Sequence, residues 1–291
     1  MNRSFLNKFK KINKKNLILS AAFGYKWNDL KIFIKSLRKF SDCRTILIVN
    51  KSIDYQTEQK LKSYKIEIFK YLKKDSNLPG LRNDQSDIGQ RRYEMYEHVL
   101  RKIDKKPKKI CLTDSRDVVF QGDIFEINYE NKINFFLEEE KILNDNRNKR
   151  WLIRTVGLHE YEKIKQNYIS CSGTTIGNYK EILNYSRLMR KNLNMYLYKI
   201  PFRHKLLFKN IEPYDQGLHN FLIYNNYFKD KKLHKNKISK ICTTAFMKKF
   251  KFNKKKQLIN EEGKIYRLIH QYDRSKNKLG KPVFNFDKIY E

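Results

Sequence analysis

The chain has 291 residues, 40% hydrophobic and 14% aromatic, which supports a packed core and argues against an intrinsically disordered protein. Its 64 Lys+Arg against 31 Asp+Glu give a formal net charge of +33, a field that attracts nucleotide-sugar phosphates, anionic head groups, acidic glycans or nucleic acid. Ten glycines and five prolines form no linker-like stretch, and no apolar run approaches the length of a membrane-spanning helix.

Residues 1–15 form a basic N-terminal segment. It places Phe5, Leu6, Phe9 and Ile12 on one helical face and lysines on the other. Two readings stand side by side: a helix lying on an anionic membrane surface, and a short helix or basic tail packed on the domain. The segment lacks a continuous apolar stretch of the secretory kind, so the expected location is cytoplasmic, with peripheral attachment to the inner face of a membrane as an extension. Residues 16–291 are expected to form one domain.

Leu17–Ala22 is a short apolar run suited to a buried strand, ending in the small-residue turn Ala21-Ala22-Phe23-Gly24-Tyr25. A helix is expected over about Asp29–Phe40, with Leu30, Phe33, Ile34 and Leu37 at helical spacing. A strand over Thr45–Val49, a helix over Tyr55–Tyr64 and a strand over Lys65–Tyr71 follow. Residues 73–87 carry Pro79-Gly80 and read as a loop. Ile88–Ile103 reads as a helix, and Lys109–Thr113 as a strand running into Asp114. This alternation predicts an α/β fold with a largely parallel sheet covered on both faces. In such sheets ligands bind beyond the carboxyl ends of the strands, which puts Ala22–Tyr25 and Asp114–Asp117 on one rim.

The second half is less regular. Asn134–Leu137 and Tyr168–Cys171 read as strands, Tyr179–Tyr198 and Asp215–Tyr224 as helices, and Lys229–Lys240 as a basic loop. Leu258–Asp273 holds a turn at Glu262-Gly263 between strand-like pieces. Residues 140–165 and 199–212 read as loops that shape specificity. The four cysteines, Cys43, Cys111, Cys171 and Cys242, show no metal-type spacing; three sit in apolar runs and read as small buried hydrophobes in a reducing compartment.

The strongest chemical signal is the stretch from Ile110 through Asp114, Asp117 and Asp123. Carboxylates at a strand end are hard oxygen ligands for Mg2+ or Mn2+ and would let the cation meet a diphosphate. The bland alternative is a turn in which Asp114 caps a helix and Asp117 pairs with a base. The segment resembles the metal-binding Asp-x-Asp region of GT-A-fold nucleotide-sugar glycosyltransferases, nearest to the glycogenin-like and lipopolysaccharide-galactosyltransferase-like enzymes. Matching Asp117-Val118-Val119 through Asp123 to that pattern puts Asp117 on its second aspartate and Ser115 on its first. The chain thus has Asp-x-x-Asp, and either Asp114 reaches the metal through a small loop change or Asp117 alone is a direct ligand.

Further segments follow in the family's order. Ser170–Gly177, with Ser172 and Gly173, resembles the Ser-Gly strand that lines the donor-sugar pocket. Asp215-Gln216 resembles the Asp-Gln pair facing that sugar, where catalytic residues are expected; a helix-capping role is the alternative for Asp215. His270, followed by Gly280-Lys281-Pro282, resembles the late His and Lys that hold the metal and the diphosphate. Ala22, Phe23 and Tyr25 match the base and ribose region, and Asp87 and Arg91 fall where the family makes further donor contacts; Arg91 and Arg92 are adjacent and point differently on a helix, so which of the two faces the site stays open.

The resemblance implies a GT-A mixed, Rossmann-like sheet flanked by helices, Mn2+ or Mg2+ held by Asp114, Asp117 and His270, a nucleotide-sugar donor, and a glycan or lipid-linked acceptor, as in polysaccharide or lipopolysaccharide biosynthesis. The competing reading is a basic nucleic-acid-binding protein, motivated by charge and by 19 Tyr and 19 Phe. It lacks any recognisable base-reading motif, so no specific nucleic acid is expected. A metal-dependent phosphotransferase or nuclease would need more clustered acids than the sequence offers.

Overall fold

The computed structural model describes residues 12–71, 88–199, 215–275 and 283–286. Its main sheet has seven strands in the order β3-β2-β1-β4-β7-β6-β8: β1 Asn13–Ala21, β2 Cys43–Asn50, β3 Glu67–Tyr71, β4 Lys109–Thr113, β6 Ile133–Lys141, β7 Tyr168–Gly177 and β8 Lys231–His234. Strands β3, β2, β1 and β4 run parallel. Strand β7 is antiparallel to both β4 and β6, and β8 pairs parallel with β6. The fold is therefore a mixed α/β sheet of Rossmann-like order.

Strand β1 explains the layering. Leu17, Leu19 and Ala21 belong to one core cluster, while Ile18 belongs to another. Alternation sends successive side chains to opposite faces, and both faces are dry, so the sequence reads as one unbroken apolar run. Helix α1, Trp27–Phe40, and helix α2, Tyr55–Ser63, cover the Ile18 face through Leu30, Phe33, Leu37 and Leu61. Helices α3, Ile88–Lys102, α6, Tyr179–Lys199, and α7, Asp215–Tyr224, cover the other through Tyr93, Tyr96, Tyr185 and Leu218.

A second sheet holds β5 Val118–Phe120, β12 Leu268–His270 and β9 Ile241–Thr243, in the order β5-β12-β9. Ser36 of α1 accepts from the Phe120 amide at 3.1 Å and ties this sheet to the first layer. Strands β10 Lys251–Phe252 and β11 Leu258–Ile259 form a short hairpin beside it.

Three expectations are corrected. Residues 146–164 are two helices, α4 Asn146–Val156 and α5 Leu158–Ile164. Asp145 caps α4 by accepting from the Asn148 amide, and Gly157, at φ 92°, separates the two helices. The stretch read as a basic loop over Lys229–Lys240 contains the edge strand β8, whose Lys231 and Lys232 are residues that keep an edge from pairing with another chain. Strand β1 also begins at Asn13, inside the segment assigned to the N-terminus. The amphipathic face at Phe5–Phe9 and the loop at 73–87 lie outside the described residues. All four cysteines are free and buried, and no helix among the described residues is long and apolar enough to cross a membrane.

Candidate metal centre and its cavity

In the main sheet the chain turns back between β1 and β4: β2 and β3 lie to one side of β1, and β4 to the other. Two neighbouring parallel strands whose connections leave in opposite directions open a crevice at their carboxyl ends. A cavity of about 540 Å³ opens there, lined by residues from Ala21 at the end of β1 to His270.

Asp114 follows β4 directly, and its amide donates to Gly173 O of β7 at 2.9 Å. Ser115 turns inward and donates to Ala21 O at 3.3 Å, closing the turn against β1. Asp117 then leads into β5. The antiparallel ladder of β5 with β12 sets His270 opposite Val118, and the Gln271 amide donates to Asp117 O at 2.8 Å. This register brings a histidine from late in the chain beside two aspartates from its middle.

One ligand atom from each of Asp114, Asp117 and His270 lies within 4.8 Å of the others. His270 Nε2 is 3.2 Å from Asp114 Oδ2 and 3.4 Å from Asp117 Oδ1. It is nonetheless a buried nitrogen that completes a hydrogen bond with neither. Its Nδ1 faces Cys171 Sγ at 3.3 Å, which leaves Nε2 directed at the two carboxylates. Asp114 keeps 35% of its side chain exposed to the cavity, whereas Asp117 keeps 5%. Two carboxylate oxygens and an imidazole nitrogen form a donor set for a divalent cation, and the Asp-x-x-Asp spacing presents both acids to it.

Burial alone would lower the His270 pKa, but Cys171, Asp117 and Asp114 around it raise it well above the ordinary value. Burial alone would raise both aspartates. Arg92 and His270 outweigh it at Asp114, and His270 does so at Asp117, so both sit below the usual carboxylate range. The two acids thus favour positive charge between them, a role open to a bound cation.

Gly173 is fitted to this trio. A Cβ there would lie 2.2 Å from His270 Cε1 and 2.7 Å from Asp114 Oδ2. Gln271, next to His270, is held at φ 60°, a conformation that costs a residue with a side chain about 1 kcal/mol or more. The Thr244 hydroxyl stabilises it by donating to Gln271 O at 2.8 Å.

Arg92 joins the remaining parts. It donates to Asp114 Oδ1 at 2.6 Å, to Ser172 Oγ at 2.8 Å, and to Asp215. Burial pushes the Asp215 carboxyl up, with Arg92 pulling it the other way. Gln216 accepts from the Ser172 amide at 2.9 Å and donates to Ser170 O at 2.7 Å, so its amide clamps α7 to β7.

Of the residues singled out in the sequence, Tyr25, Asp114, Ser115, Asp117, Ser172, Gly173, Asp215, Gln216 and His270 line the cavity together. Ala22 and Phe23 are buried beside it: the Ala22 amide donates to Ile48 O, and Phe23 packs edge-on against Tyr71. Of the adjacent pair on α3, Arg92 lines the cavity and Arg91 is buried outside the lining. Asp87 and Lys281 lie outside the described residues. Sequence reasoning missed Glu138, Asn148 and Trp151, which also line the cavity. Burial raises the Glu138 pKa to about 7.

No protein-family model matches the sequence, and a search of curated proteins finds no match.

Proposed function

We propose that the protein is a metal-dependent glycosyltransferase of the GT-A type, moving a sugar from a nucleotide-sugar donor to the hydroxyl of a glycan or lipid-linked acceptor. The observation that carries this reading is the convergence of the Asp-x-x-Asp turn, the Ser172-Gly173 strand, the Asp215-Gln216 helix and His270 on one cavity at the sheet's switch point. These are the segments that resemble the family, and they lie far apart in sequence.

Asp114, Asp117 and His270 would hold Mn2+ or Mg2+, which supplies positive charge to a departing diphosphate. Arg116 and Arg274, 2.9 Å from Asp273 and 3.4 Å from Asp117 respectively, stand at the same place to bind phosphate oxygens. Tyr25 offers a ring to the nucleoside. Ser172 and Gly173 let the backbone come close to the sugar, and Arg92 fixes Asp215 beneath it.

The nucleic-acid reading is disfavoured at this cavity by its charge. Asp114, Asp117, Glu138, Asp145 and Asp215 face Arg92, Arg116, Arg147 and Arg274, so the basic surplus lies elsewhere on the surface. A polyanion groove would carry that surplus itself. Attachment to an anionic inner membrane face is the use we propose for it.

The test is a thermal-shift panel of UDP, GDP, CMP and their sugars, with Mn2+ or with EDTA, on the wild type and Asp117→Ala. A ligand that binds only the native state raises apparent stability. Stabilisation by one nucleotide, requiring metal and Asp117, is expected. Stabilisation by a single-stranded oligonucleotide alone, lost steeply with salt, would overturn the proposal.

A further inference from the structure

The cavity continues past the metal centre to helix α4, and nothing in the donor reading uses that end. Strand β6 lies three positions from β1 in the sheet, about 14 Å at ordinary strand spacing. Glu138, at 5% exposure, sits on β6, and Asn148 and Trp151 of α4 line the same cavity. Asn148 is 7% exposed. Its Nδ2 donates to Asp145 Oδ1 at 2.9 Å, which fixes the amide and leaves Oδ1 as the free end. That Oδ1 is buried without a hydrogen-bond partner, and so is the Nε1–H of Trp151.

A buried polar atom left unpaired costs about 1–3 kcal/mol, and two in one cavity wall point to a ligand that satisfies both. Residues three apart share a helix face. One is an acceptor and the other a donor, so a single hydroxyl can donate to Asn148 Oδ1 and accept from Trp151 Nε1–H. An amide or ammonium cannot do both through one atom. Phe246 and Ala245 add an apolar wall, matching the C–H face of a sugar ring. Glu138 and Asp145 oppose a carboxylate or phosphate at this end, where Arg147 lies 5.8 Å over the Trp151 ring. The wall is firmly held, since Gly217 of α7 lets the Trp151 backbone come so close that a Cβ would meet its carbonyl oxygen at 2.7 Å.

We infer that Asn148, Trp151 and Glu138 form an acceptor subsite for a neutral pyranose ring, one of whose hydroxyls bridges Asn148 Oδ1 and Trp151 Nε1–H. This rests on the transferase reading for the word acceptor, but the ring-binding site stands on its own geometry. It also separates two roles of charge: the basic surface attracts anions, while the sugar at the reaction centre is neutral.

Saturation-transfer NMR with the Mn2+-loaded full chain tests it, using methyl glucoside, methyl galactoside, methyl N-acetylglucosaminide and, as an anionic control, methyl glucuronide. At least one neutral glycoside is expected to bind and the glucuronide not to. Trp151→Phe keeps the ring and removes the donor, and Asn148→Ala removes the acceptor. Each should weaken that glycoside about three- to tenfold, the equivalent of one hydrogen bond, with Mn2+ stabilisation unchanged. Asp117→Ala should lose Mn2+ and keep the glycoside. Binding of no neutral glycoside by the wild type, equal binding of the glucuronide, or unchanged affinity in both α4 variants overturns the subsite. If glycosides bind as expected but no nucleotide does, the subsite survives and the transferase reading falls.

Discussion

Gly173→Ala is the sharpest test of the metal centre, because it adds one methyl group and no charge. The new carbon would sit 2.2 Å from His270 Cε1, where ordinary contact begins near 3.4 Å. The ring must therefore retreat by about 1.2 Å, or β7 must move; either is overpacking of a dry site, worth about 1–3 kcal/mol. His270 has little freedom, since it is fully buried and its strand is paired on both sides. Metal–ligand distances tolerate about 0.2 Å, so a 1 Å displacement removes a ligand and costs far more in binding than in folding. Expected are a fall in melting temperature of about 2–6 °C and loss of Mn2+ stabilisation, with the secondary structure intact by circular dichroism. Isothermal titration with Mn2+ reads the second effect directly. A variant that binds Mn2+ like the wild type would refute the reasoning and show that the trio is a salt-bridged turn.

Arg92→Ala strips the partner from Asp114 and Asp215 at once, and leaving a buried charge unpaired costs about 3–5 kcal/mol. Urea unfolding of Arg92→Ala beside the wild type checks this at the pH of maximum stability; a loss under about 1 kcal/mol would contradict the bridge. Glu138 predicts a pH effect: its carboxyl titrates near 4.5 unfolded and at about 7 folded, so the neutral form contributes stability below pH 4.5 that is lost as pH rises through 7. Glu138→Gln should then gain up to about 3 kcal/mol over the wild type between pH 4.5 and pH 8, and a difference that ignores pH would sink the idea. His219 works in the opposite sense. Burial holds it near 3 against an ordinary 6.5 while Tyr185 and Ser170 hydrogen-bond its two nitrogens. Its contribution is complete above pH 6.5 and fades as pH falls towards 3, so His219→Gln should flatten the acid limb of the stability profile; an unchanged limb would assign that slope elsewhere.

Much of the first half was legible from the amino acids. Strands β1, β2 and β4 are continuous apolar runs because both faces are covered, and α1 shows its buried stripe at Leu30, Phe33, Ile34 and Leu37. The acids after Thr113 were visible because an apolar strand delivers them. Helix α4 was missed because Asn146, Arg147, Lys149, Arg150 and Arg154 mask a narrow apolar side; Asp145 and Gly157 were the available start and stop signals. The choice between Arg91 and Arg92 needed the helix phase, which adjacent arginines do not reveal. The β5–β12 pairing was not legible at all. It depends on contacts between distant segments, and local periodicity carries no trace of them.

That pairing has a consequence for how the molecule comes into being. The cation site is complete only when β12 docks beside β5, so a nascent chain holding both aspartates but not yet His270 has no place for the ion. Metal capture by this trio would therefore report that the late β9–β12 segment has been made and seated. A chain cut short before Leu268 could bury most of the main sheet and still lack the third candidate ligand, and an ion held by all three would staple the middle of the polypeptide to a segment synthesised long after it.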